Sequence, residues 1–261
     1  MRRRPSPFGQ GNDQLYHAVS NAMEWLRAYH AYRAFGVERI PTEGPALIVF
    51  NHSLATYDMG LLMHEIFEKT GRVTRPLGDR LIFKVPGLKN FASTIGVVEG
   101  SMRNAVPLLS SGELVAVAPG GMQEALRPSS HKYELEWDTR RGFARLAIQT
   151  QTPIILAACP AADDLYTLYD NKLTRKLYRR FRVPIPLLRG MGLTFIPRPI
   201  QLTHELSIPL YPPPLDENGE VSDDALRTFH RSIVREMEDL MKLAATHHHV
   251  PYSDNWEKRP S

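Results

Sequence analysis

Six short apolar runs divide the chain: Ala46–Phe50, 95–98, 114–118, Ile154–Ala158, 193–196 and 205–208. Each is too short for a helix core, and continuous apolar runs of this length suit strands buried on both faces. Helical patterns lie between several of them, notably over 140–149 and 225–245. Thr56 or Asp58 is placed to cap a further helix that runs to about Lys69 and stops at Gly71. Short buried strands alternating with helices predict an α/β fold with a central, largely parallel or mixed sheet flanked by helices.

Composition narrows the classes. A chain of 261 residues buries a core without covalent staples. Its one cysteine, Cys159, excludes an internal disulfide framework and a CxxC metal or redox site. The longest stretch free of Asp, Glu, Lys and Arg, 146–162, holds glutamines and prolines, and it falls short of the roughly 20 apolar residues a spanning helix needs. The basic start lacks an apolar core of the secretory kind, which predicts a cytoplasmic protein that touches a membrane without crossing it. A net charge of +4 favours anionic partners or an anionic membrane face and does not call for nucleic acid.

The expected organisation is a disordered basic arm over 1–13, one domain over 14–249 and a loose tail over 250–261. The domain begins with an amphipathic helix over 14–35, ended by Gly36 and edged by Trp25, Tyr29, Tyr32, Arg27 and Arg33. Such a helix either packs on the body or lies in a headgroup layer. A dense basic stretch, 171–189, holds two lysines and five arginines and reads as solvated surface or a lipid contact.

Two units have the makings of chemistry. Asn51-His52-Ser53-Leu54-Ala55-Thr56-Tyr57-Asp58 follows the first strand directly, at the strand end where open α/β sheets hold ligands. A carboxylate on one imidazole nitrogen fixes the tautomer and leaves the other as a base, suited to deprotonating an alcohol. The alternative is a histidine that ties loop to helix. His248 and Asp254 repeat the spacing, but no strand precedes them. The second unit runs from the 114–118 strand into Pro119-Gly120-Gly121-Met122-Gln123-Glu124. Paired glycines let backbone N–H groups converge on an oxyanion or phosphate, or simply make a tight turn, with Glu124 capping it or orienting a partner.

In this order, the two units resemble the glycerolipid acyltransferase superfamily, over roughly residues 15–245. The segments Arg80-Leu81-Ile82-Phe83-Lys84-Val85-Pro86 and Gly96-Val97-Val98-Glu99-Gly100-Ser101-Met102-Arg103 are similar to the segment that bears the family's second motif. The resemblance implies a glycerol-3-phosphate acyltransferase-like fold. It also implies fatty acyl transfer from acyl-CoA or acyl carrier protein to a lipid hydroxyl, with His52 and Asp58 as the catalytic pair and no cofactor or metal. Asn51, Pro119, Gly120, Gly121, Gln123 and Glu124 are the implied oxyanion or acceptor contacts, and Arg80, Lys84 and Arg103 are candidates for donor phosphates.

Two departures stand out. Five residues separate His52 from Asp58 where the phosphate-acceptor branch has four, and Gln123 stands where that branch places the arginine of its Pro-Glu-Gly-Thr-Arg block. Together with 131–137 and 162–165, this pattern looks more like the diacylglycerol and phytyl-ester synthase branch, which acylates neutral lipid alcohols. A lysophosphatidic acid acyltransferase, a lipid hydrolase or thioesterase, and a catalytically silent lipid-binding protein remain as alternatives.

Overall fold

The computed structural model describes residues 13–84, 87–169 and 187–247. The basic arm apart from Asp13, most of the 171–189 stretch, the His248–Asp254 pair and the expected tail lie outside them. In chain order the elements are α1 (Asp13–Tyr29), β1 (Arg33–Phe35), β2 (Ala46–Phe50), α2 (Tyr57–Thr70), β3 (Thr74–Gly78), α3 (Arg80–Lys84), α4 (Leu88–Thr94) and β4 (Val98–Glu99). They continue with α5 (Met102–Ser110), β5 (Leu114–Val117), α6 (Gly121–Ala125), α7 (Gly142–Thr150), β6 (Ile154–Ala158), β7 (Thr167–Leu168), β8 (Leu188–Arg189), β9 (Thr203–Leu206) and α8 (Asp223–Thr246).

Seven strands form one sheet in the order β1-β9-β6-β2-β5-β3-β4. Every neighbouring pair is parallel except β6 with β9. The three central strands are apolar on both faces because both faces are covered. Leu47, Val49, Val115, Ile154 and Leu156 pack on one side with residues of α5, α7 and α8. Ala46, Ile48, Phe50, Leu114, Ala116 and Ile155 pack on the other with Leu62 and Ile66 of α2. The expected α/β architecture is the observed one.

Three details differ from expectation. The first helix ends at Tyr29, not at 35: Ala31 adopts φ +41°, and Arg33–Phe35 pairs in parallel with Thr203–Glu205 as an edge strand. Helical spacing in the sequence is blind to that remote strand. Gly36 therefore does not end a helix; it admits β9, since a Cβ there would lie 2.9 Å from the Leu206 carbonyl oxygen. Second, the 193–196 run is no strand but part of an exposed loop. Third, the last strand shifts to Thr203–Leu206, while 95–98 yields only Val98–Glu99.

The 131–137 and 162–165 segments clasp each other beneath the strand ends. Arg127 pairs with Asp163, Lys132 with Asp164, and Asp163 also accepts from the Tyr133 amide at 2.8 Å. The Tyr133 hydroxyl donates to Asp164 at 2.6 Å. Arg127 and Asp163 are almost wholly enclosed, so Asp163→Ala leaves a buried, unpaired guanidinium. The expected loss is about 3–5 kcal/mol of unfolding free energy by denaturant titration. A loss below about 1 kcal/mol, the range of an exposed pair, would show the clasp to be dispensable.

Candidate active site

Three parallel strands, β2, β5 and β6, end side by side, with Val49 opposite both Val117 and Leu156. Their registers bring Asn51-His52, Pro119–Gly121 and Cys159 to one edge of the sheet. Asn51 staples two of these exits. Its Oδ1 accepts from the Cys159 amide at 2.8 Å, and its Nδ2 donates to the Cys159 carbonyl at 3.3 Å. Buried and doubly bonded to backbone, Asn51 is a tie between strands rather than the acceptor contact expected of it.

His52 lies on the wall of a cavity of about 1650 Å³ that extends between α1, α2, β3 and α5. Its Nδ1 is 2.8 Å from the Ser53 carbonyl oxygen, an acceptor, so Nδ1 carries the proton and Nε2 keeps its lone pair. Burial lowers the pKa of this imidazole, which favours the neutral, basic form near neutral pH.

Asp58 does not hydrogen-bond to His52. Its Oδ1 accepts from the Ser53 hydroxyl at 3.1 Å, and it sits in the first turn of α2, where amides favour a carboxylate. Ser53 thus bridges the pair, bound to Asp58 through its hydroxyl and to His52 through its carbonyl. The extra residue in the spacer is absorbed by an irregular loop, in which Thr56 adopts φ +60°, a strained conformation for a β-branched residue.

Behind Asp58 lies a histidine that motif spacing gave no reason to choose. His204 of β9 places Nε2 3.9 Å from Asp58 Oδ2, and neither atom has a hydrogen-bond partner. The Tyr32 hydroxyl is 3.1 Å from His204 Nδ1. Burial pushes the tyrosine up, keeping it protonated, and pushes His204 down to about 3. With Tyr32 donating to Nδ1, His204 is neutral and turns its Nε2–H towards Asp58. No spacing rule links residue 204 to residue 58; they meet through the place of β9 in the sheet, between β1 and β6. Asp58, Cys159 and His204, all buried, bring ligand-type atoms within 4.8 Å of one another, and burial pushes the Cys159 thiol up.

The glycine turn is built around Glu124. Its Oε1 accepts from the His52 amide at 2.8 Å, and its Oε2 accepts from Trp137 Nε1 at 2.8 Å and the Glu136 amide at 3.4 Å. Burial pushes this carboxyl up to about 7, against three N–H donors that favour its ionised form. A Cβ at residue 120 would lie 1.8 Å from Glu124 Oε2, so only glycine fits there. Glu124, expected among the oxyanion or acceptor contacts, instead positions His52 from beneath.

Pro119, Gly120, Gly121 and Gln123 do line the cavity, as does Arg80, which pairs with Glu99 at 3.4 Å. Lys84 and Arg103 are exposed and lie off the cavity wall. Arg140, which the sequence reading missed, also lines the cavity and donates to Gln123 Oε1 at 3.2 Å.

Burial pushes Asp58 up to about 7 from an ordinary 3.8. Between those values the folded protein holds a proton that the unfolded chain releases, so stability falls as pH climbs from about 4 to about 7. Asp58→Asn removes that loss. Near pH 8 the variant should melt about 2–4 °C above wild type, the effect of ~1 kcal/mol in a domain of this size, and the gap should close towards pH 4. A melting temperature at or below wild type near pH 8 would show that the buried charge costs nothing.

Comparison with known proteins places this geometry. The model of a family described as acyltransferase matches residues 33–159. A Bos taurus protein named "DGAT1/2-independent enzyme synthesizing storage lipids" is 35% identical over 204 residues, covering 76% of this chain and 59% of its own. Its Gallus gallus namesake is 35% identical over 210 residues, covering 76% of this chain and 63% of its own. The chain thus spans about three-fifths of the length of these relatives. The crystal structure of the 1-acyl-sn-glycerophosphate acyltransferase PlsC from Thermotoga maritima superposes with a TM-score of 0.54 at 16% identity, over 90% of this chain and 85% of that one; it shares the fold. With a matched family model that runs from β1 to the end of β6 and holds both motif units, the chain belongs to the glycerolipid and lysophospholipid acyltransferase superfamily.

Proposed function

We propose that this protein is an O-acyltransferase of lipid biosynthesis that moves a fatty acyl group from a thioester donor, acyl-CoA or acyl carrier protein, to a lipid hydroxyl. The observation that carries the reading is one shared wall: His52 and the Pro119-Gly120-Gly121 turn line the same largely apolar cavity, which is large enough for acyl chains. The relatives named for storage-lipid synthesis support it.

In this mechanism, Nε2 of His52 takes the proton of the acceptor hydroxyl as its oxygen attacks the thioester carbonyl. Amides near Gly120 and Gly121 stabilise the oxyanion, a contribution of about 3–4 kcal/mol in comparable holes. Collapse of the tetrahedral intermediate forms the ester and expels the thiolate, which recovers the proton from His52. Asp58, through Ser53, holds the His52 loop and favours the imidazolium. The thioester is already activated, so no acyl-enzyme and no metal are called for. The protein works peripherally, at the inner face of a membrane.

A neutral glycerolipid or a long-chain alcohol is the favoured acceptor, because Gln123 offers no charge-assisted fork to a phosphate. Arg140, bonded to Gln123 on the cavity wall, favours the competing reading, a phosphate-bearing acceptor of the lysophosphatidic acid kind.

With labelled palmitoyl-CoA and a panel of lipid alcohols, folded His52→Ala should lose at least about 100-fold in acyl transfer. Near-wild-type turnover would remove the mechanism, and release of free fatty acid without ester formation would make the protein a hydrolase. In direct competition, diacylglycerol or a long-chain alcohol should outcompete lysophosphatidic acid. A strong preference for lysophosphatidic acid, abolished by Arg140→Gln, would transfer acceptor selection to Arg140.

A further inference from the structure

The most exposed apolar surface among the described residues lies away from the cavity, on the loop after β8. Residues 191–196 are six consecutive exposed positions, with Leu193 92% exposed, Phe195 77% and Ile196 50%. Isolated exposed apolar side chains are ordinary, but a contiguous set on one loop marks a contact surface.

The loop is built to hold these side chains outward. The Gly190 amide donates to the Thr194 carbonyl at 2.7 Å, the Met191 amide to the Ile196 carbonyl at 2.8 Å, and the Thr194 amide back to Met191 at 3.1 Å. A Cβ at Gly190 would lie 2.0 Å from the Ile196 carbonyl oxygen, so the closure requires glycine. Arg198 anchors the base, donating to the Asp164 carbonyl at 2.8 Å and to the Thr167 hydroxyl at 2.6 Å. The tip therefore satisfies much of its backbone internally, which is what entry into an apolar medium demands.

Two further observations select the partner. The Tyr29 hydroxyl donates to the Pro197 carbonyl at 2.7 Å and stacks its ring on Trp25, which is 63% exposed; an amphipathic indole thus stands beside the loop. Aromatic residues of this kind favour the headgroup level of a bilayer. Arg189 and Arg198 flank the loop, and none of the residues from 187 to 204 is acidic. Basic charge flanking an apolar tip matches an anionic lipid surface, and it does not match the neutral apolar face that a second copy of this loop would offer.

We infer that the loop over 191–196, with Trp25 beside it, is the element that inserts into the interface of an anionic bilayer. This rests on the peripheral-membrane part of the proposed function, and of the two readings of the first helix it favours the one in which most of the helix packs on the body, with Trp25 at its exposed end. That helix is committed to the body: Met23 and Leu26 pack against a buried cluster, and Arg27 pairs with Glu65 of α2.

The test is flotation of the full chain with vesicles of phosphatidylcholine and phosphatidylglycerol. It compares wild type, Leu193→Asp/Phe195→Asp and, as control, Leu243→Asp at an exposed position on α8. The double variant should bind at least about tenfold more weakly at an unchanged melting temperature, while the control binds as wild type does. Binding should fall with added salt or without the anionic lipid. The fluorescence lost in Trp25→Phe should, in wild type, be quenched by brominated acyl chains. Wild-type protein that fails to float would overturn both the inference and the peripheral reading beneath it. Equal flotation by the double variant would overturn the inference alone. A dimer in light scattering that the double variant abolishes, with flotation unchanged, would assign the patch to a second copy of the chain.

Discussion

A single buried carboxylate, that of Glu124, receives N–H groups from two segments that have no other reason to meet. It takes the His52 amide at the exit of β2, and the indole of Trp137 and the amide of Glu136 from the segment after α6. Removing a carboxylate from water is expensive unless each lone pair finds a donor, so the carboxylate tolerates little displacement of any of them. That requirement reaches back into the sequence: residue 120 has to be glycine because the carboxylate occupies the space of a side chain. The turn that lines the cavity and the loop that bears His52 are thus held by the same group.

The second constraint is the sheet. Parallel strands deliver their carboxyl ends to one edge, and β2, β5 and β6 are adjacent in the order of strands. The edge is then locked by Asn51 against the backbone of Cys159 and by the clasp of Arg127, Lys132 and Tyr133 on Asp163 and Asp164. None of these groups needs to touch a substrate. Their common effect is to hold His52 and the glycine turn on the cavity wall, where Arg80, Gln123 and Arg140 also lie.

The carboxylate of Asp58 works against stability. Fully buried, with one oxygen lacking a hydrogen-bond partner and a neutral His204 at 3.9 Å, it is a charge the fold would hold more easily as a neutral amide. A buried carboxyl with a pKa raised to about 7 is the sort of group found where proton transfer is arranged. The strained Thr56 between it and His52 belongs to the same loop.

What depends on neighbours in the chain was legible in the amino-acid order. Apolar runs with no polar face told of strands covered on both sides, and they predicted β2, β5 and β6 within a residue; the order of Asn51-His52 and the Pro-Gly-Gly turn told of the family. What depends on residues far apart in sequence was settled by the packing of strands and loops against one another. It turned the end of the first helix into an edge strand, because the partner of Arg33–Phe35 is 170 residues away. It made Asn51 and Glu124 internal ties, because their partners lie on β6 and beside Trp137. It set His204 behind Asp58, and Arg140 beside Gln123, where no spacing could place them. It also turned the apolar run at 193–196 outward, since short apolar runs look alike whether their side chains meet a core or open solvent; that choice is made by the hydrogen bonds closing the loop and by Arg198 at its base.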